Sequence, residues 1–162
     1  MKPLLNSVGL SFVLLLQVLA LPYAEASAET WSGEVVRVMD GDTIEVLHAN
    51  RPIRVRLANI DAPEKHQAFG SRSRDYLGDM VFRRQVSIKD QGQDRYGRVI
   101  GVVYIAGVNA NAEMVRAGMA WVYRRYNTDP QLVELELQAR AMRAGLWRDN
   151  FPTPPWEFRR AK

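Results

Sequence analysis

The chain contains no cysteine. That excludes disulfide stapling, thiolate zinc sites and cysteine nucleophiles together. Histidine is almost as scarce: His48 and His66 are the only two, so a His-rich metal site or a Ser-His-Asp triad has very little to draw on. Internal repeats and low-complexity tracts are absent as well. Any chemistry here is therefore left to carboxylates and arginines. With 47% hydrophobic and 25% charged residues among 162, the composition suits one compact domain with a real core and argues against disorder throughout. The net charge of +4 suits a polyanionic partner, and equally a generic basic surface.

There is one long apolar run. Lys2 opens a short positive region, Leu4 to Leu21 follows, Pro22 ends it, and Ala26-Ser27-Ala28 supplies small residues where a signal peptidase reads. The pattern predicts a signal peptide over 1–28, cut after Ala28 or after Ala26, and a periplasmic or extracellular protein. The alternative is an uncleaved membrane anchor, since the run is just long enough to span. Removing residues 1–28 takes away one lysine and one glutamate and leaves +4. An exported protein meets calcium at concentrations that the cytosol does not offer.

Trp31 to Leu47 is rich in valine and other strand formers, interrupted by Asp40-Gly41-Asp42, a hairpin signal. Ile53, Val55 and Leu57 alternate with Arg54 and Arg56, as in a half-buried strand. Ala62-Pro63 ends this meander. A helix is predicted over Phe69 to Phe82 from Phe69, Tyr76, Leu77, Met80 and Val81. Two more strands follow at Gln85 to Lys89 and Val99 to Ile105, joined by polar Gln91 to Gly97. Asn109 to Ala117 reads as a short helix capped by Gly118, and Pro130 to Ala144 as a longer one ended by Gly145. The stripe of this last helix reads as Leu132, Val133, Leu135, Leu137, Ala141 and Met142, and Met114, Met119 and Met142 read as core fillers. Five short strands with about three helices is the count of an OB barrel, though other small barrels share it. The expected division is one compact domain over 29–150 and an irregular Pro/aromatic tail over 151–162.

Four short segments carry candidate chemistry. Calcium accepts about six to eight oxygen ligands without strict geometry, and a meander can set Asp42, leaving the first hairpin, beside Asp61, ending the third strand. Asp40 and Asp42 fit equally well as turn residues. Glu64, beyond the stiffening Pro63, is either a surface carboxylate at a helix start or a general base for water. Arg56 and Arg98 are either solvated strand charges or planar forks for the equatorial oxygens of a phosphodiester.

The combination is more specific. Val38 to Thr43 (V-x-D-G-D-T), Arg56 to Glu64 (R-L-x-x-I-D-A-P-E) and Asp94 to Arg98 (D-x-Y-G-R) resemble, in order and spacing, the thermonuclease or staphylococcal-nuclease-like family. Asn111-Ala112-Glu113 with Val115 and Gly118 is similar to its N-E-x-L-V-x-x-G helix, and the resemblance spans roughly Gly33 to Trp147. It implies an OB-fold barrel with three helices that hydrolyses DNA and RNA with Ca2+, single strands preferred, as a monomer, leaving 3′-phosphate ends. By the same resemblance Asp42 and Asp61 are side-chain calcium ligands, and Ala62 contributes its backbone carbonyl. Glu64 falls on the general base or water-positioning residue, and Arg56 and Arg98 on the phosphate-holding arginines. Asp40 belongs to the surroundings of the metal, ordering waters. Arg95 and Tyr96 match positions that touch a neighbouring phosphate. Tyr126 and Tyr123 fall near pocket-lining tyrosines, and Tyr123 fits equally as a core aromatic. Lys65 to Gly70 is short and lacks the lysine-rich loop of some relatives. Retention of Asp42, Arg56, Asp61, Glu64 and Arg98 separates this chain from degenerate, non-catalytic OB modules that merely bind nucleic acid.

Overall fold

The computed structural model describes residues 29–161; the expected signal peptide, 1–28, lies outside the described residues. Among the described residues no helix is long and apolar enough to cross a membrane.

Three strands form the expected meander: β1 (Thr30–Val38), β2 (Thr43–His48) and β3 (Arg51–Leu57). Period-two patterning decides which faces turn inward. Ile44, Val46, Val55 and Leu57 are buried, while Arg54 and Arg56 alternate outward. The β2–β3 turn has only Ala49 and Asn50, both with positive φ (47° and 61°). This is the two-residue turn whose twist matches that of the flanking strands.

After a two-residue strand β4 (Ile60–Asp61) and helix α1 (Gly70–Val81), strand β5 (Gln85–Gln93) pairs antiparallel with β1. Strand β6 (Val99–Ile105) then pairs antiparallel with β5. The ring closes through a parallel β3–β6 pairing, with Val55 opposite Val99 and Leu57 opposite Gly101. The result is the predicted five-stranded closed barrel of OB type. Strand β5 extends to Gln93, beyond the expected Lys89, because a register shift after Asp90 lets Gln93 pair with Val99.

Short strand β7 (Val108–Asn109) precedes α2 (Ala110–Arg116), and β8 (Trp121–Val122) pairs with β4 as a separate two-stranded sheet. Helix α3 (Pro130–Ala141), a 3-10 turn (Gly145–Arg148) and α4 (Pro155–Arg160) complete the chain. The predicted irregular tail is thus corrected: it contains a fourth helix. Pro155 stands at the first helical position, where its missing N–H costs nothing and its fixed φ suits the helix.

Helix α3 corrects two further expectations. Its buried residues are Leu132, Glu136 and Ala139, whereas Leu137 and Met142 are exposed, as is Ala141. The inward stripe includes an acid that hydrophobicity could not flag. The Glu136 carboxylate accepts the Val122 backbone N–H (3.0 Å) and an Arg124 bond (2.6 Å), tying α3 to β8. The helix also ends at Ala141 rather than Ala144. Arg143 takes the left-handed position after it (φ 53°), its guanidinium held by the Arg148 carbonyl and Asn150. Gly145 instead packs on Gly118, whose carbonyl accepts the Leu146 N–H (2.9 Å).

Buried Asn111 on α2 locks the barrel seam. Its side-chain oxygen accepts the Val103 N–H (3.0 Å), and its amide donates to the carbonyls of Ala58 (2.9 Å) and Gly101 (3.2 Å). Those groups lie where β3 and β6 diverge. Because alanine would strip partners from the Val103 N–H and the Ala58 carbonyl, Asn111→Ala should destabilise folding by about 3 kcal/mol. Urea unfolding should register this as a lower midpoint, while exposed Arg74→Ala stays within about 0.5 kcal/mol of the parent.

Candidate active site

The β1–β2 turn supplies the first carboxylates. The Met39 N–H donates to the Thr43 carbonyl (2.9 Å), and the Asp40 side chain accepts the Asp42 N–H (3.0 Å). Asp40 therefore does serve the turn, and in doing so it orients Asp42. Gly41 is required by close approach, since a Cβ there would overlap the Ser73 hydroxyl of α1 and crowd Ala62. Buried Asp42 accepts the Thr43 hydroxyl on Oδ1 (3.0 Å) and the Ala62 N–H on Oδ2 (2.7 Å).

Asp61, on β4 and 2% exposed, faces this turn. Between the two carboxylates lies Arg56, anchored by its own bond to the Leu57 carbonyl (2.8 Å). Its Nη2 reaches Asp61 Oδ1 at 3.0 Å and Asp42 Oδ2 at 3.2 Å. Burial raises the pKa of Asp61, opposed chiefly by a hydrogen bond from Arg159, with Asp42 raising it further. Asp40 is pushed up to about 7 by burial and then by the charge of Asp42. In both cases burial comes first, since it penalises the ionised form, and the neighbouring carboxylate adds to it.

Glu64 begins the next loop. Its N–H is held by the Gln67 side-chain oxygen (3.0 Å), and Gln67 in turn donates to the Thr153 carbonyl (2.6 Å). The Glu64 carboxylate does not touch Arg56; its described partner is Arg159 of α4, whose Nη1 reaches Oε1 at 2.7 Å. The Arg159 fork also spans Asp61, at 3.2 Å to Oδ1 and 2.8 Å to Oδ2. Sequence reasoning missed this residue. The signal available was Pro154-Pro155 as a helix start, with Trp156 and Arg159 three apart on one face.

Arg98 stands apart from this cluster. Its guanidinium is bound to Asp94 (2.7 Å through both Nε and Nη2). Burial alone would raise the Asp94 carboxyl, but hydrogen bonds from the backbone and side chain of Arg98 and from the Tyr96 N–H hold it below its usual range. The β3–β6 register sets Arg98 alongside Arg54, two residues along the strand from Arg56. That separation is about 7 Å at strand rise. Arg98, Arg54, Glu45, Tyr96 and Gly97 help line a groove of ≈ 380 Å³. Tyr96 is exposed there, with the Arg95 guanidinium over its ring at 4.8 Å. Tyr126, also exposed, meets Tyr123 edge-on at 4.9 Å, and Tyr123 lies parallel to Trp156 of α4 at 5.8 Å.

Among the described residues no group of three or more His, Cys, Asp or Glu side chains could hold a metal ion by themselves. The donors that do converge are all oxygen, which suits a hard dication completed by a backbone carbonyl such as that of Ala62 and by water. A carboxylate has about four acceptor positions. At Asp42 the described bonds come from Thr43, Ala62 and Arg56, and at Asp61 from Arg56 and both Nη of Arg159. Asp61 therefore keeps an acceptor position, and with Asp42 beside it the residues present form an oxygen donor set that fits the calcium expected from the sequence.

Fold and site together define a small OB barrel with a carboxylate–arginine centre at one edge and a basic, aromatic groove beside it. Residues 54–149 match the family described as staphylococcal nuclease homologue. The chain is 45% identical over 164 residues to protein ParB of Escherichia coli, covering 93% of each chain. It is 51% identical over 149 residues to micrococcal nuclease of Shigella flexneri, covering 83% of this chain and 86% of that one. An uncharacterized endonuclease of Haemophilus influenzae is 43% identical over 160 residues, covering 98% of this chain and 85% of that one. The chain belongs to the staphylococcal nuclease family.

Because the folded-state pKa of Asp40 lies above its ordinary 3.8, at about 7, its proton favours folding below about pH 4 and that contribution is lost as pH rises through 7. In chelator, stability should thus decline across this window, and Asp40→Asn should flatten the decline. Urea midpoints at pH 4.5 and 7.5 test it; parallel wild-type and variant profiles would refute the assignment.

Proposed function

We propose that the protein is an exported, calcium-dependent nuclease that hydrolyses phosphodiester bonds of DNA and RNA and leaves 3′-phosphate ends. The observation that carries this reading is the single Arg56 Nη2 shared by buried Asp42 and Asp61, with Glu64 beside Asp61 across Arg159, in a chain of this family. Relatives named micrococcal nuclease and endonuclease support it.

Asp42, Asp61 and the Ala62 carbonyl hold Ca2+ in this reading. Bound there, the ion supplies positive charge to the non-bridging phosphate oxygens and lowers the cost of the pentavalent state. Glu64 orients the attacking water and accepts its proton at the carboxylate. Arg56 neutralises charge on the equatorial oxygens from the cluster side, and Arg98 does so from the groove side. Asp94 keeps the Arg98 fork extended toward that groove, while Asp40 holds Asp42 in place. Arg95 contacts a neighbouring phosphate, and Tyr96 and Tyr126 offer ring faces to bases. Stacking of this kind tolerates any base and favours single strands. Nothing in this assignment requires a second subunit, and the monomer is proposed. The leader over 1–28 delivers the protein to the periplasm or beyond. N-terminal sequencing of the exported product should begin at Ser27 or Glu29; a chain beginning at Met1 would indicate the membrane anchor instead.

The purified protein should cut single-stranded DNA and RNA with calcium and stop in excess chelator. Glu64→Gln should lower kcat by about 10²–10⁴-fold while strand binding persists. A folded, calcium-supplied protein that binds strands without cutting them would make this chain a binding module.

A further inference from the structure

We propose that Arg159, carried by the C-terminal helix, is a positioning residue of the cleavage site that acts through Glu64; this rests on the nuclease reading above. The helix is docked by contacts from several elements. Pro155 is buried, and Trp156 meets Trp121 edge-on at 5.6 Å and lies parallel to Tyr123 at 5.8 Å. Upstream, the Thr153 carbonyl is held by Gln67, the residue that also holds the Glu64 N–H. Arg159 follows Trp156 by one helical turn and so shares its inward face.

What Arg159 does there follows from the needs of Glu64. A glutamate has three side-chain torsions, and this one is 37% exposed. Its Oε1 takes the Arg159 bond at 2.7 Å, and no described bond engages Oε2. One oxygen is thereby fixed and the other is left for the water. The same Nη1 also reaches Asp61 Oδ1 (3.2 Å) and Nη2 reaches Oδ2 (2.8 Å), so the guanidinium grips both oxygens of Asp61, whose side chain is 3% exposed. An exposed ion pair between flexible side chains contributes little. Here one partner is buried and rigid, so the guanidinium transmits a fixed geometry from Asp61 to Glu64. A simple plug over the site would consume the acceptor positions, whereas one remains on Asp61 and Oε2 of Glu64 stays open.

The test is a kinetic cycle on the full exported protein, with wild type, Glu64→Gln, Arg159→Ala, Arg159→Lys and the Glu64→Gln/Arg159→Ala double variant. Arg159→Ala should lower kcat by about 10–100-fold, with KM within about twofold and an unchanged circular dichroism spectrum. Arg159→Lys should recover part of the loss, since an ammonium reaches Glu64 but cannot fork Asp61. The double variant should fall no further than Glu64→Gln alone. Multiplying losses would mean that Arg159 acts without Glu64 and would overturn the proposal. Unchanged or raised kcat in Arg159→Ala, with calorimetric calcium affinity tightened about tenfold, would identify an inhibitory latch and overturn it too. Should Arg159→Ala fail to fold, Arg159→Gln and Arg159→Lys carry the same comparison. If wild type cuts and Glu64→Gln does not, the nuclease reading stands whatever Arg159 does. If wild type never cuts, both readings fall together.

Discussion

The structure depends on holding two buried carboxylates at one point. Asp42 comes from the β1–β2 turn and Asp61 from β4; both are almost excluded from solvent, and they repel each other. Burying one ionised acid costs several kcal/mol even after relaxation, and two together are tolerated only if cations and hydrogen bonds repay that cost. Arg56 does this from β3, touching both, while the Ala62 N–H and the Thr43 hydroxyl take further lone pairs. The barrel is what makes this possible. The antiparallel β2–β3 register fixes Thr43 opposite Arg56, and closure of β3 on β6 keeps that edge from fraying.

Other parts of the molecule serve the same end. Asn111 seals the seam where β3 and β6 separate. Ser73 of α1 packs so closely on Gly41 that a side chain there has no room, and its hydroxyl bonds the Met119 carbonyl (2.7 Å). Glu136, buried in α3, fastens β8, and β8 pairs with β4, with Trp121 opposite Asp61. The position of Asp61 is thereby determined from the side of the helices as well as from the barrel.

The reactive surface has two halves with different physics. The carboxylate half is buried and dense with charge-assisted bonds, so small displacements are costly. The groove half is open, built on a tight Asp94 turn and exposed aromatic and guanidinium planes. In the proposed function this sets precise chemistry beside permissive binding.

How much was legible beforehand differs by element. Strands β1 to β3 were readable because alternation reports burial directly, and Asp42, Arg56 and Asp61 because three motifs recur in a fixed order. Met142 and Leu137 were misplaced because hydrophobicity marks the wrong stripe on a helix whose inward face carries an acid. The tail was misread because its prolines suggest irregular chain until Pro155 is seen as a helix start. The sequence by itself determined the barrel, the family and the residue types available for chemistry, since these rest on local periodicity and short-range spacing. Only the tertiary structure decided that Glu64 is gripped by Arg159, 95 residues away, and that Arg98 lines a separate groove. Contacts at that separation depend on how helices dock on a closed barrel, and no local pattern encodes that.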